Sequence, residues 1–323
     1  MISSVYKPFN DFSFNESTCY LTGQPASLEP VFPEWVLNDY GLGEKLFKYL
    51  DEHIVTYNDI KIPVSQIAKA SFLEVDQKVE QAFNEGYEAV SELDELVLFQ
   101  WISKMVYGTI HTEIRAGMKQ QRASGEPFNF SQSLSTKFAN MHLMLQSIIS
   151  PVVFEGISPW SIKVFKLTES IEGLSYRDEI NTMVFSLKAR DFGIIACLQD
   201  NGESLNYHKS VLELVEGKVL HPIQFEELCA RFFYSAYLFN RLPEYIILPT
   251  EEALFIESMP LRISSKPVYD VWQVKTYGQV LENFWKPWEI LLFEIIKNPE
   301  KPLSFIVGED GDFIQSEDIK LNS

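Results

Sequence analysis

The sequence is short of the residues that most often carry chemistry. Its three cysteines, Cys19, Cys197 and Cys229, lie far apart, so it has neither a disulfide framework nor a C-x-x-C pair for a metal or redox couple. The five histidines, His53, His111, His142, His208 and His221, form no H-x-x-x-H or H-E-x-x-H pair, which removes the helix that would present two imidazoles to one metal. G-x-S-x-G, a Walker loop and G-x-G-x-x-G are missing, and with them the usual signatures of serine hydrolases and nucleotide binders. No apolar run reaches membrane-spanning length, and the greasiest stretch, Glu289 to Ile296, is interrupted by Glu294. The opening residues, Met-Ile-Ser-Ser-Val-Tyr-Lys-Pro, lack the apolar core of a signal peptide. There is no internal repeat and no low-complexity stretch. These absences predict a soluble protein of the reducing cytoplasm, with no membrane partner.

Positive charge is also scarce: 45 Asp and Glu stand against 27 Lys and Arg, a formal −18. Affinity for a duplex comes largely from Lys and Arg neutralising phosphates, so duplex nucleic acid is not expected as a partner. Lys104, Arg115, Lys119 and Arg122 recur along one predicted helix, and the expectation for them is a solvated face rather than a phosphate-binding patch.

What the chain has in quantity is apolar bulk. Hydrophobic residues are 46% and charged residues 22%, with 24 Phe and 14 Tyr, enough to fill more than one core across 323 residues. The first sixty or so residues are rich in Pro, Asn, Ser and Gly and read as loops with short strands. Pro33 sits where a first-turn proline is tolerated and opens a helix through Trp35, Val36 and Leu37 toward Gly41. Phe72, Val75, Val79, Phe83, Tyr87 and Val90 then recur at three- and four-residue steps, an amphipathic helix of about six turns that contains Gly86. Ser91 with Asp94 resembles a capping box for a second helix through Leu96, Phe99, Ile102, Val106 and Ile110. A loop around Gly125-Glu126-Pro127 precedes a third, Ser133 to Ile149, which Pro151 stops.

From 151 onward the texture is mixed. Strands are expected at Trp160 to Phe165, Met183 to Leu187, Phe192 to Leu198, Tyr245 to Leu248, Ala253 to Ile256 and Ser304 to Val307. Helices are expected at Phe225 to Leu238, opened by Pro222, and Trp288 to Ile296, opened by Pro287. Asp200-Asn201-Gly202 is a turn, because Asn and Gly tolerate positive φ. The reading is an α+β chain in three parts: a small loop-rich unit at 1–70, a helical unit at 71–150 and an α+β domain of unknown role at 151–323.

One constellation carries more specific information. It runs Cys19-Tyr20-Leu21-Thr22-Gly23, Glu29-Pro30-Val31-Phe32-Pro33-Glu34-Trp35-Val36-Leu37, Pro63-Val64-Ser65-Gln66-Ile67-Ala68-Lys69, then Phe99-x-Trp101-x-x-Lys104-x-x-Tyr107-Gly108. Over residues 19–108 this order resembles bacterial HNH-type endonuclease-like proteins with a treble-clef zinc core, whose pattern is C-x-x-C-G, E-H-V-x-P-x-W-L, P-x-C-x-x-C-N and a later W-x-x-K-x-x-Y-G. In that family four cysteines hold a structural zinc, the histidine of the E-H pair is the general base and the asparagine helps fix the geometry. The resemblance implies a scaffold without the chemistry. The former zinc-ligand positions are Cys19, Thr22, Ser65 and Ala68, and the former catalytic positions are Pro30 and Lys69. No zinc, no other cofactor and no cutting are expected. Cys19 reads as a small buried hydrophobe.

Other candidates are weaker. His221 before Pro222, with Glu226 and Glu227 a turn later, reads as a cap rather than an acid–base cluster. Cys197 and the pair Trp285 and Trp288 read as core. The acidic run Glu309-Asp310-Gly311-Asp312 lacks the ligand spacing of a calcium loop and reads as a turn. Two functions stay open: a non-catalytic binding or assembly protein, with a protein partner or a second copy of itself, and an enzyme whose site lies in the C-terminal α+β region.

Overall fold

The computed structural model describes residues 5–10, 12–49, 52–125, 131–169, 174–261, 266–298 and 300–321. In chain order its elements are β1 (Ser27–Pro30), α1 (Glu34–Asn38), β2 (Leu46–Lys48), β3 (Ile54–Thr56), β4 (Lys61–Val64), α2 (Gln66–Glu85), α3 (Tyr87–Ser91), α4 (Glu95–Ser124) and α5 (Gln132–Leu145). There follow β5 (Val152–Glu155), β6 (Ser161–Leu167), β7 (Ser175–Glu179), β8 (Val184–Ala189), β9 (Phe192–Cys197), α6 (Glu203–Tyr207), α7 (Lys209–Val215), β10 (Val219–Leu220) and α8 (Pro222–Leu238). The chain closes with β11 (Tyr245–Pro249), β12 (Leu254–Ser258), α9 (Val274–Phe284) and α10 (Leu292–Ile295). The class is α+β, as the sequence suggested.

These elements group into two compact units. The first takes Met1–Glu85, Glu92–Ser158 and Leu242–Met259; the second takes Gly86–Ser91, Pro159–Arg241 and Pro260–Ser323. The sequence-based boundary at 70 falls inside α2, and the one at 150 falls just before β5.

In the first unit α4 is the central element. Asp94 caps it by accepting the Leu96 N–H at 2.8 Å, so the cap is Asp94 itself rather than Ser91. Phe99, Trp101, Ile102, Met105, Val106 and Tyr107 are all buried, and α2 and α5 pack along it. At Gly108 an added Cβ would lie 2.8 Å from Val31 Cγ1, so this position lets the helix approach the loop after β1. Around the helices stand two hairpin-like pairs, β1 with β4 and β2 with β3, and a three-stranded sheet in the order β11-β12-β5.

The second unit is a five-stranded sheet in the order β10-β6-β9-β8-β7. Strands β8 and β9 are buried throughout, and α8 packs on the sheet with Phe225, Leu228, Cys229 and Phe232 in the core.

Several local expectations need correction. The predicted six-turn helix stops at Gly86, whose φ of +96° is left-handed, and an added Cβ there would sit 3.1 Å from the Asp191 carboxylate. The apolar rhythm resumes in α3, but in the other unit. The helix foreseen at Trp288 to Ile296 is a short 3-10 turn, then Glu289 at φ 55°, then only α10, because a left-handed residue ends the run. Ser304 to Val307 forms no strand, only an isolated bridge between Val307 and Phe313 across the acidic turn. Residues 126–130 of the loop after α4 lie outside the described residues.

Candidate functional site

The loop-rich start of the first unit is folded by local geometry. Cys19 N–H donates to Gln24 O at 2.7 Å and Gly23 N–H to Cys19 O at 3.0 Å, with Gly23 at φ +72°, so residues 19–24 close a tight turn. Tyr20 N–H then donates to Pro63 O at 3.0 Å, tying that turn to the end of β4. The next residues open α2: Ser65 Oγ accepts the Ala68 N–H at 3.4 Å, as an N-cap does.

The four positions that the resemblance sets against zinc ligands, Cys19, Thr22, Ser65 and Ala68, are therefore linked by short contacts. Thr22 Oγ1 and Ser65 Oγ lie 3.1 Å apart, and Thr22 N–H points at Cys19 Sγ at 3.5 Å. Cys19, Ser65 and Ala68 are buried. Burial alone would push the Cys19 thiol up; hydrogen bonds from the Ser65 and Thr22 side chains and backbone outweigh it and bring the pKa below its ordinary value. Cys19 is buried as expected, and it is also a hydrogen-bond acceptor.

The two remaining positions line a cleft of about 500 Å³. Pro30 enters from β1, paired across the hairpin with Lys61, and Lys69 enters from the first turn of α2. Lys69 Nζ donates to Glu29 Oε2 at 2.8 Å, so the ammonium is spent on the neighbouring strand. The floor is apolar: Val31, Phe32, Ile62, Val64 and Phe72. Trp35, nine-tenths buried at 9% exposure, stands in the wall, stacked on Trp101 at 5.8 Å and edge-on to Phe83 at 5.2 Å. Among the described residues its indole N–H has no acceptor, and the nitrogen itself is inaccessible to solvent.

Sequence reasoning missed part of this wall. Lys69, Leu73, Asp76 and Glu80 follow one another at steps of three and four along α2, so they share the helix face that borders the cleft. Lys104, expected on a solvated face, is buried: its ammonium pairs with Asp76 and lies over the Phe72 ring at 5.5 Å. Arg115 is also engaged, donating to Lys61 O at 2.8 Å. Of the other two basic residues, Lys119 is exposed, with Glu16 3.7 Å away, and the side chain of Arg122 lies outside the described part. The helical spacing along α2 was the available signal. The pairing of Asp76 with Lys104, 28 residues away, was not visible in the sequence.

The second unit uses its polar residues internally. His221 Nδ1 accepts the Ile223 N–H at 3.2 Å and caps α8. Glu226 pairs with Arg177 and lies 3.8 Å from Lys188. Glu227 accepts from Arg231, from the Ser304 hydroxyl and from the Phe305 and Ile306 N–H groups. His208 and Ser235 are 2.9 Å apart but closed in the core, and burial lowers the His208 pKa to about 3. Asp200 is buried at the expected turn, where it accepts from Ser161 and from the Ser204 N–H, and burial raises its pKa. Cys197 and Trp285 are core, and Trp288 packs against it. A hollow of about 540 Å³ lies beside the contacting rings of Tyr207 and Tyr269.

Among the described residues no group of three or more His, Cys, Asp and Glu is placed to hold a metal ion, and no helix is long and apolar enough to cross a membrane. Compared with known proteins, the chain matches no family model, no curated protein and no solved structure.

Proposed function

We propose that this chain is a non-catalytic binding protein on a nuclease-derived scaffold, and that it binds through the cleft of the first unit. One observation carries the reading: Pro30 and Lys69, at the positions where the resembling family keeps its base and its asparagine, both line that cleft. The proline nitrogen is a tertiary amide and takes no proton, and the Lys69 ammonium is held by Glu29. General-base help is worth about 10²–10⁴-fold, and metal activation of water adds a separate gain. Neither has a donor at these positions. Cys19, alone among Thr22, Ser65 and Ala68, supplies one thiolate where a structural zinc needs four ligands.

The test is to incubate the full chain with plasmid and single-stranded DNA plus magnesium, manganese or zinc, beside a Glu29→Ala variant. No cleavage is expected from either. Cleavage by the native chain that Glu29→Ala abolishes would overturn the reading. Cleavage indifferent to that change, and retained on repurification, would move the activity to the second unit.

A further inference from the structure

We propose that the free edge of β11 pairs with β11 of a second copy of this chain, antiparallel about Ile247, so that two three-stranded sheets become one of six strands. The inference is independent of the cleft in the same unit. β11 ends the sheet β11-β12-β5, and among the described residues no strand lies on its far side. It carries no charge: Tyr245-Ile246-Ile247-Leu248-Pro249. A strand with one wet face usually alternates apolar and polar residues, and this one does not. Ile246 and Leu248 share the outer face and are 50% and 59% exposed, while Ile247 on the opposite face is 37% exposed. Edge strands are normally guarded at such positions by lysines or inward-pointing charges; here aliphatics stand in their place.

The backbone register selects the occupant. Met259 N–H donates to Glu244 O and Thr250 N–H to Ala253 O, so the even-numbered residues of β11 turn their backbone groups toward β12, and Ile247 turns its N–H and C=O outward. Antiparallel pairing about Ile247 lets each Ile247 N–H donate to the other copy's Ile247 O. Tyr245 then stands opposite Pro249, so the one residue of the strand without an N–H sits at the end of the ladder and not at its centre. Ile246 falls opposite Leu248 of the second copy. These aliphatics extend the row Leu248, Phe255 and Val153 that already crosses the three strands in register. The flanking acids tolerate this register, because Glu244 comes in line with Thr250 and Glu251 with Pro243. A basic peptide on the same edge would find no carboxylate on β11 to pair with. A five-residue edge buries less than the about 800 Å² per partner of a standard interface, so the dimer is weak and reversible.

Sedimentation velocity of the full chain across a concentration series reads the association, and a dissociation constant on the order of 10–100 μM is expected. Each copy carries a formal −18, so raising the salt from about 0.05 to 0.5 M should tighten the dimer at least about threefold, where a contact between opposite charges would loosen. Amide exchange should slow with concentration at Ile247 and stay constant at Ile246 and Leu248, which already bond β12. Two double variants at exposed positions test the register: Ile246→Lys with Leu248→Lys, and Ile246→Glu with Leu248→Glu. Each should be folded and monomeric alone, because like charges fall opposite each other, and an equimolar mixture of the two should dimerise again. A native chain that stays monomeric up to about ten times the upper dissociation constant overturns the proposal. So does a dimer in which exchange at Ile247 ignores concentration, or one that both variants retain. A mixture of folded, monomeric variants that fails to associate overturns it as well, since another register would then hold the copies.

Discussion

Helices α2 and α8 both bring carboxylates to the side of a packed unit, and they spend them in opposite ways. On α8, Glu227 is fully buried and gathers an arginine, a hydroxyl and two backbone N–H groups, while Glu226 gathers Arg177 and Lys188. On α2, Asp76 is paired with Lys104, but Glu80 lines an open cleft that Glu34 and Asp39 also line. The second unit uses acid as internal fastening. The first keeps acid at an opening and fastens its N-terminal turn with neutral hydroxyls, Thr22 to Ser65. A buried carboxylate with all its partners is a structural part, whereas carboxylates beside an open cleft keep their charge at the surface.

That contrast can be pressed experimentally. The largest change is expected from introducing thiolates into the first unit. In the triple variant Thr22→Cys, Ser65→Cys and Ala68→Cys, four sulfurs with Cys19 would surround the point where Thr22 and Ser65 now touch at 3.1 Å. One zinc per chain, tetrahedral absorption on cobalt substitution and a melting temperature that rises with zinc are expected. A variant that folds and binds neither metal would show that the four positions do not share a ligand geometry.

Next comes a matched pair across the two units. Trp35→Ala opens the aromatic stack of the first unit and should cost about 3–5 kcal/mol. Glu227→Ala strands Arg231 and the loop around Phe305 in the second and should cost about the same. Urea denaturation followed by separate probes for each unit reads both. A loss below about 1 kcal/mol for Glu227→Ala would mean that the fastening on α8 is replaceable by water.

The smallest effect concerns acid. Burial lowers the pKa of His142 to about 4, against the hydrogen bond to Tyr20 O that opposes the shift. The folded form stays neutral while the unfolded chain takes a proton below about 6.5, so stability from this residue is full above that pH and is lost as pH falls toward 4. The slope is about 1.4 kcal/mol per pH unit for one such histidine. His111, lowered to about 3 by burial, acts in the same unit; in the second unit burial lowers His208 to about 3 and also lowers His221. His142→Gln should flatten the pH dependence by one residue's share. An unchanged slope would show that the imidazole is already hydrated.

Much of this was legible because it is written in short-range chemistry. Pro33 opens α1, the turn at Asp200-Asn201-Gly202 leads into α6, His221 caps α8, and Trp285 is buried with its Nε1 donating to Ile223 O. What escaped depends on partners distant in sequence. Helix α9 went unforeseen, since Val274, Thr276 and Gly278 are poor helix formers; its glycine is explained only by the close approach of Ile296, 2.6 Å from an added Cβ. Lys104 has the sequence surroundings of a solvated residue, and the partner that lets it be buried, Asp76, lies 28 residues away. The cleft acids were unreadable for the same reason: Glu34, Asp39 and Glu80 belong to separate segments, and only the packing of α2 near the β1 hairpin makes them neighbours.

The division of the chain into interleaved stretches has a consequence for its birth. The sheet β11-β12-β5 pairs Leu254 with Val152 in parallel, so the first unit lacks its last strands until residue 258 has been synthesised. By then β6 to β9 and helix α8 of the second unit have already been synthesised. Though it opens the chain, the first unit is completed only after all five strands of the second unit's sheet have been made. A truncation at the natural-looking break near 150 would release the helices of the first unit without any strand of its three-stranded sheet, since β5, β11 and β12 all follow that point. Exchange of one unit for a foreign one by a single recombination event is closed to this fold for the same reason: its parts are inherited together.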